Sequence, residues 1–443
     1  MRQGMPESRG RMETDMLTRR RFVYGLTAAG VHAGVTGCIT SAGRTNVGHP
    51  WEGWKPGHFQ IHAIYTGVAE SLFLIFPDST SLLIDCGDHA ACERGELAVP
   101  ILPDPSRHSG EWIARYVQRV NPRGCKVDYM LLSHYHSDHA GCLAFHAGKS
   151  PNGRYCRSGF GQAMEWLSFG TAIDRAWPTF DDPLPMPDGF NGGVVAHMRE
   201  VYAELSRRGT KIERFRLERG SSQIRPLHGH VDEFYMRPLC ANGRILMPDG
   251  SVRDLYGDLI SSGKMRRVNE NAMSIGMVFE YGMFRFYTAG DFADRFALPD
   301  GLQVEAEDVM AEACGAADVA KVNHHGHHSM QRKLVAALKS SVYLACIWDQ
   351  LHVTCDTMRR LSDRNAYPGD RVLAPGILSK ERRVEDYGED WMQDVAQGVF
   401  EGAHVIVDVA PGGGRYSVIT VSAKDESMTV TSDMEFISKW GVS

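Results

Sequence analysis

The sequence lacks several features that would each indicate a class of protein. Its 443 residues contain no Cys-x-x-Cys pair, so the common dithiol and structural zinc motifs are absent. A formal net charge of -6 gives no support to a nucleic-acid-binding surface. No apolar run of membrane-spanning length follows the N-terminal region, and no internal repeat is present. The composition, 43% hydrophobic and 23% charged, is that of an ordinary globular protein.

The N-terminal residues 1–40 are typical of an export signal. Thr18 to Val23, with Arg19 and Arg20, resembles a twin-arginine motif, and a mildly apolar segment follows it. Val35-Thr36-Gly37-Cys38 resembles a lipobox, in which the cysteine receives a lipid. We therefore predict an exported protein, periplasmic or at the cell surface, whose membrane contact is a lipid anchor at Cys38.

The rest of the chain divides into three predicted parts. Residues 41–57 contain Gly, Pro and Trp and are predicted to form a linker. A single large domain is predicted over residues 58–423, with a C-terminal extension over residues 424–443. Alternating strand-like and helix-like segments in the domain indicate the α/β class.

The densest group of metal-ligating side chains lies in residues 133–141. His134, His136, Asp138 and His139 occur with the spacing H-x-H-x-D-H, directly after an apolar run that predicts a buried strand. Imidazole and carboxylate together suit zinc, manganese or iron, and the absence of a nearby Cys argues against a closed structural zinc site. The segment therefore predicts an open metal site at the end of a strand.

This motif resembles that of the metallo-β-lactamase superfamily. The resemblance implies a four-layer αβ/βα sandwich with two divalent metal ions, most often zinc. It also implies that His134 and His136 bind the first ion, and that Asp138 and His139 bind the second.

Two later segments resemble further motifs of the same superfamily. Gly290-Asp291, preceded by an Asn-x-Asn segment, resembles the motif whose aspartate bridges the two ions, which a carboxylate can do because it has two oxygens. His324-His325-Gly326 resembles the motif that supplies the last ligand. The glycine that follows His325 favours it as the ligand, whereas His324 is the alternative or lines the site.

Several supporting positions stay open in the sequence. A third ligand for the first ion is expected well downstream of the first motif, where His228 and His230 are candidates and His197 is a weaker one. Asp85 precedes a glycine where the family carries an aspartate near the site. His352 either faces the substrate or only begins a helix.

The opening strands and later motifs most resemble the hydrolase domain of DNA-uptake competence proteins. That resemblance implies a hydrolase that uses a bridging hydroxide, oriented by Asp138, on a small or polymeric ester, chiefly a phosphodiester. A nucleic acid is included among these substrates, although the net charge does not support it. The alternatives are a non-catalytic metal-binding scaffold, a β-lactam or lactone hydrolase, and a di-iron oxygen or nitric oxide reductase. The last requires a flavin partner domain, and the sequence shows no flavodoxin-like segment.

Overall fold

A computed structural model provides the fold and describes residues 46–88, 101–293, 304–349, 352–369, 371–374 and 403–440. The predicted export signal, including Cys38, lies outside the described residues. No helix within the described ranges has both the length and the apolar composition needed to cross a membrane.

The strands of the described residues are short, and most of their side chains are buried. In chain order they are β1 (Phe59–Ala63), β2 (Leu72–Ile75), β3 (Ser81–Ile84), β4 (Lys126–Leu131), β5 (Ser168–Asp174), β6 (Lys211–Arg214), β7 (Phe234–Ala241), β8 (Arg244–Leu246), β9 (Val252–Asp254), β10 (Gly276–Tyr281), β11 (Phe284–Thr288), β12 (Val319–Lys321), β13 (Val342–Leu344), β14 (Val372–Ala374), β15 (Ala403–Val409), β16 (Arg415–Ser422) and β17 (Val430–Ile437).

The helices pack outside the strands. They are α1 (Ser109–Val120), α2 (Ser137–Ala140), α3 (Phe160–Ala163), α4 (Val194–Arg207), α5 (Gly257–Ser261), α6 (Ala306–Cys314), α7 (Arg332–Leu338) and α8 (Cys355–Ser362), with 3-10 turns at Phe190–Gly192, Asn271–Met273 and Asn323–Gly326. In α1 the buried residues Ile113, Tyr116, Val117 and Val120 recur at intervals of three and four, so one face of this helix packs on the core.

The strands form two mixed sheets. The first has the order β17-β16-β15-β1-β2-β3-β4-β5-β6 and is parallel from β3 to β6. The second has the order β14-β13-β12-β11-β10-β7-β8-β9 and is parallel from β11 to β14. Strands β2 and β3 are buried along their whole length and are almost entirely apolar. Strands covered on both faces lack the alternation of apolar and polar residues that half-exposed strands show.

Three apolar clusters give the layers of the fold. One lies between the sheets and contains Leu82 and Leu131 from the first sheet with Phe279 and Phe286 from the second. Another joins the first sheet to α1, α3 and α4, and a third joins the second sheet to α6, α7 and α8. The order helix, sheet, sheet, helix confirms the predicted α/β fold with its four layers.

The two ends of the predicted domain pack together. The expected C-terminal extension contains β17, which pairs with β16 along its whole length. The expected linker contributes the amide of Trp51, which donates to the carbonyl of Met428 (2.9 Å), and the amide of Gly48, which donates to that of Val430 (2.9 Å). The boundaries at 57 and 423 therefore fall inside the packed domain, because backbone pairing between distant segments leaves little mark in composition.

Candidate metal centre

Four loops at the ends of strands supply the candidate site. They follow β3, β4, β11 and β12, so both sheets contribute. The loops carry Asp85, the segment from Ser133 to His139, Asp291 and the segment from His324 to His325. In α/β folds such strand ends are the usual place for a binding site.

The first group of donor atoms consists of His134, His136 and Asp291. His134 Nε2 lies 3.1 Å from His136 Nδ1 and 3.8 Å from Asp291 Oδ2. The Ser133 hydroxyl lies 3.0 Å from His134 Nδ1, on the other side of the ring. This contact fixes the ring so that Nε2 points into the group.

The second group contains Glu70, His139, Asp291 and His325, with Asp138 beside them. His139 Nε2 lies 3.3 Å from His325 Nε2 and 3.1 Å from Asp291 Oδ2. Asp138 Oδ2 lies 3.0 Å from His325 Nε2 and 3.6 Å from His139 Nε2. Asp291 Oδ2 thus lies beside imidazoles of both groups, as expected of a bridging carboxylate.

Neighbouring groups orient both imidazoles of the second group. Asp85 Oδ2 accepts a hydrogen bond from His139 Nδ1 (2.8 Å), and its two oxygens also accept from the amide (2.7 Å) and hydroxyl (2.6 Å) of Ser133. The carbonyl of Cys346 accepts from His325 Nδ1 (2.7 Å). These contacts at Nδ1 direct the Nε2 atom of each ring inward, as metal-ligating histidines require.

Glu70 and Lys321 are buried members of the site that the sequence analysis missed. Lys321 Nζ donates to Glu70 Oε1 (2.8 Å) and to the carbonyl of Gly290 (2.6 Å), and it lies 3.6 Å from Asp291 Oδ1. Glu70 Oε2 lies 3.2 Å from His325 Nδ1. The available signal was a lysine inside the apolar run of β12, since a buried lysine needs a carboxylate partner.

The electrostatics of the cluster favour positive charge at its centre. Burial lowers the pKa of His134 well below its ordinary value, so this ring is a neutral donor. Burial also opposes the protonation of His139, but the adjacent carboxylates of Asp291 and Asp138 raise its pKa well above the ordinary value. Burial disfavours ionised Asp291 as well, and His139 and His325 nevertheless hold the pKa of Asp291 well below its usual range.

The donor set fits divalent cations. Neutral imidazoles and carboxylates are the ligands of zinc, manganese and iron. Asp291 Oδ1 is buried and has no hydrogen-bond partner. The carboxylate of Asp291 is therefore not fully used by hydrogen bonds and is available to a metal ion. The first group offers three protein donors, which is the number found at catalytic zinc sites, where a water molecule completes the coordination.

The structure separates the two adjacent histidines after β12. His325 joins the second group, whereas His324 Nε2 lies 3.1 Å from the side-chain amide of Asn271 and its ring is partly exposed. Both residues have positive φ, 48° for His324 and 52° for His325, a conformation that costs roughly 1–3 kcal/mol at each non-glycine residue. With this backbone conformation the two neighbouring imidazoles point in different directions. His325 points into the second group, and His324 lies at the edge of the site.

The candidates for a downstream ligand of the first ion lie elsewhere. His228 Nε2 lies 2.9 Å from Asp128 Oδ1, and the amide of His228 donates to Asp78 in the turn between β2 and β3. That turn is at the end of the hairpin opposite Asp85. His230 is almost fully exposed and contacts Asp232. The prediction of His230 as a ligand or lining residue is therefore wrong, because its loop is tied to the opposite end of the sheet.

The two remaining histidines occupy supporting positions. His197 is buried in α4 and its Nε2 donates to the carbonyl of Ser158 (3.1 Å), so it is not part of either donor group. His352 is buried with its ring stacked on His325, with centroids 5.1 Å apart. It supports the ring of a ligand and does not line an open surface.

A comparison with curated proteins gives no match. The profile of the metallo-beta-lactamase superfamily matches residues 65–206, which include His134, His136, Asp138 and His139. Asp291 and His325 lie beyond the matched span, and the fold brings them to the same site. Residues 65–206 are therefore similar to the metallo-beta-lactamase superfamily, and the two-sheet fold and the buried His/Asp cluster agree with that similarity.

Proposed function

We propose that the protein is a metal-dependent hydrolase with a dinuclear centre. The observation that carries the proposal is the position of Asp291 Oδ2 between two sets of imidazoles, 3.8 Å from His134 and 3.1 Å from His139. A scaffold protein has no need of two open donor groups that share a carboxylate. The matched superfamily profile supports the same class of activity.

Two divalent ions, when bound, supply a water molecule of lowered pKa and a Lewis acid that stabilises negative charge on the attacked ester. Asp138 is the residue that would orient the attacking water and accept its proton. Burial opposes its ionisation, but His139 and His325 hold the pKa of Asp138 well below its usual range, so it is an ionised acceptor.

The partly exposed side of the site indicates where a substrate would approach. His136 and His324 are the histidines of the site that keep some exposure, while His134, His139 and His325 are buried. The ring of Phe190 lies nearly parallel to His136, with centroids 6.2 Å apart. Phe190 belongs to the long loop region before α4, and we infer that this region forms one wall of the substrate site.

Within the hydrolases, we propose a phosphodiester or a related ester as substrate. The support is the resemblance of the Gly290-Asp291 and His324-His325-Gly326 segments to those of the competence-protein hydrolase domain. A panel of chromogenic phosphodiester, phosphomonoester, lactone and β-lactam substrates separates the alternatives. Turnover of the β-lactam or lactone alone would replace the phosphodiester proposal with that of a lactam or lactone hydrolase.

The central test compares two aspartates of neighbouring elements, Asp128 in β4 and Asp138 in α2. Asp138→Asn should reduce hydrolysis by a factor on the order of a hundred or more, as loss of a positioned acid–base group does. Asp128→Asn is the matched control, because Asp128 contacts Ser81 and His228 away from the site. Equal activity of Asp138→Asn and the wild type, at matched zinc content, would contradict the assigned role.

We also propose that the protein is exported and anchored by lipid at Cys38. The support is the twin-arginine-like and lipobox-like segments of the N-terminal sequence. Replacement of Arg19 and Arg20 by Lys should retain the protein in the cytoplasm, and Cys38→Ala should release it from the membrane fraction. Unchanged fractionation of both variants would refute the proposal.

A further inference from the structure

A buried acid supports the loop between the two histidines of the first group. Tyr135 separates His134 from His136, and its backbone amide donates to Glu270 Oε1 at 2.8 Å. Glu270 lies in the segment before β10 and is 2% exposed. Its contact is with the backbone of the ligand-bearing loop, so the carboxylate acts on the position of the imidazoles without touching them.

Arg175, which follows β5, holds Glu270 in place. Its Nε and Nη2 donate to the two oxygens of Glu270, at 2.8 and 2.6 Å, in a paired geometry. Its Nη1 donates to the side chain of Asn242 (2.8 Å) and the carbonyl of Asp182 (2.8 Å). The guanidinium carbon also lies 4.9 Å from the centre of the Tyr135 ring. The arginine therefore ties the loop between the ligands to three other segments of the chain.

A contribution to folding stability does not by itself explain the buried ion pair between Arg175 and Glu270. Arg175 and Glu270 are each about 1% exposed at the side chain, and a buried ion pair often contributes no more stability than apolar residues of similar volume. The geometric effect is more specific, because the paired contacts give Glu270 one orientation and fix one amide of the His134–His136 loop.

The second donor group has other supports. Asp85 and the carbonyl of Cys346 orient His139 and His325, and neither contact involves Glu270 or Arg175. A disturbance of the ion pair should therefore affect the two groups unequally.

We propose that Glu270, held by Arg175, is a positioning residue that selectively sets the metal affinity of the group formed by His134, His136 and Asp291. The inference rests on the proposed dinuclear centre. It assigns the ion pair a role in metal binding at the first position and no direct part in the reaction.

The test measures zinc and not turnover. Wild-type protein and Glu270→Ala are stripped of metal, dialysed against buffered zinc and analysed for zinc per chain across a range of free zinc concentrations. We expect the wild type to bind about two ions and Glu270→Ala to weaken one binding step by a factor of roughly 10 to 100, as loss of groups that support ligands does. The other step should keep its wild-type affinity.

Reference variants identify which step changes. His136→Ala removes a ligand of the first group, and His325→Ala removes one of the second. With cobalt as the spectroscopic probe, the absorption spectrum of Glu270→Ala at limiting metal should match that of His136→Ala. A match to His325→Ala would overturn the inference.

A second variant guards against loss of folding, since Glu270→Ala leaves a buried guanidinium without its partner. The double variant Arg175→Leu/Glu270→Gln removes that charge and keeps an acceptor for the Tyr135 amide. We expect it to recover zinc binding in the first position relative to Glu270→Ala. Asp318→Asn, a change at a buried carboxylate that accepts the amides of Arg285 and Lys439, is the control and should leave both steps unchanged.

The outcomes separate this inference from the proposed function. If the wild type binds no zinc or cobalt, the dinuclear centre itself is wrong. If the wild type binds two ions and Glu270→Ala binds both with unchanged affinity, or loses both equally while folded, the centre stands and the positioning role is wrong.

Discussion

At the scale of single residues, Asp291 differs from the other ligands because its Oδ2 lies beside imidazoles of both donor groups. Loss of this oxygen should weaken both metal positions, whereas loss of His136 or His325 removes a donor from one. The two oxygens of Asp291 also have different surroundings, because the ammonium of Lys321 lies 3.6 Å from the other oxygen, Oδ1. The lysine compensates part of the negative charge and leaves Oδ2 as the oxygen directed at the imidazoles.

The first prediction is that Asp291→Ala lowers zinc content below one ion per chain and reduces hydrolysis by a factor on the order of a hundred or more. Loss of groups that only support metal ligands already costs about 10–100-fold, and Asp291 is itself the shared ligand. Elemental analysis and the chromogenic assay provide the two measurements, with circular dichroism as the folding control. Retention of two zinc ions by the variant would show that Asp291 does not bridge the two positions.

A second residue-scale effect belongs to two buried histidines outside the metal centre. His62 contacts the hydroxyl of Tyr116 and the side chain of Gln60, and His404 Nδ1 accepts the amide of Tyr65 (3.0 Å). Burial lowers the pKa of His62 and of His404 to about 3. A protonated His404 would lose its role as acceptor, so both rings are neutral in the fold.

These two histidines predict loss of stability in acid. In the unfolded chain they bind protons near pH 6.5, whereas in the folded chain they do so only near pH 3, so their contribution is complete above about pH 7 and is lost as pH falls. Each should lower the free energy of unfolding by up to about 1.4 kcal/mol per pH unit between these values.

Denaturant unfolding at pH 7, 6 and 5 measures this slope. His404→Asn keeps an oxygen acceptor for the Tyr65 amide without a titrating ring, and its slope should be smaller than that of the wild type. His230→Asn, at an exposed position, is the control and should leave the slope unchanged. Equal slopes for His404→Asn and the wild type would exclude the contribution of His404.

At the scale of elements, the close approach of two loops defines the position of Asp138. The amides of Glu70 and Cys86 donate to the carbonyls of Asp138 (2.9 Å) and His139 (2.8 Å). A Cβ atom on Gly87 would lie 1.7 Å from the Asp138 carbonyl oxygen, so only glycine fits there. The segment after β3 therefore packs directly against α2 and fixes the backbone of Asp138 and His139.

The last strand, β17, gives the element-scale prediction. Phe436 is buried, and its ring stacks on Tyr416 of β16 with centroids 5.2 Å apart. Phe436→Ala should lower the free energy of unfolding by about 3–5 kcal/mol, the usual cost of removing a buried phenylalanine ring. Thermal unfolding of this variant measures the effect, and Ile437→Ala, at an exposed neighbour, is the control.

Truncation after residue 423 tests the same element as a whole. It removes β17 and exposes the edge of β16, so we expect a poorly soluble or strongly destabilised protein. A truncated protein with the thermal stability of the full chain would show that these residues are an appendage after all.

The parts of the site that could be predicted from the sequence are those whose residues lie close together along the chain. His134 to His139 form one motif after one apolar run, and the Gly-Asp and His-His-Gly segments are also local. The structure brings residues of all three segments together. Arg175 and Glu270 are 95 residues apart, and no spacing rule relates them. The prediction of His230 as a ligand rested on its residue type and its distance along the chain. Neither of these carries information about where its loop is anchored.

At the scale of the whole molecule, both sheets contribute residues to the candidate metal centre. His134, His136, Asp138 and His139 follow β4 of the first sheet, whereas Asp291 and His325 follow β11 and β12 of the second. Ions bound to both sets would join the sheets through ligands that are otherwise held together by ion pairs and hydrogen bonds. The site should therefore contribute to the stability of the whole domain as well as to its proposed chemistry.

The last prediction concerns metal removal. Each ion that binds only the folded chain adds about 2.7 kcal/mol when its free concentration is 100 times its dissociation constant. Calorimetry of zinc-loaded protein and of protein treated with EDTA should show a lower melting temperature after chelation, restored by added zinc. In Asp291→Ala the difference between the two conditions should shrink, because the shared carboxylate is missing. A wild-type melting temperature that does not change with zinc or EDTA would show that the ions do not join the sheets. A shift of equal size in Asp291→Ala would place the stabilising ions away from Asp291.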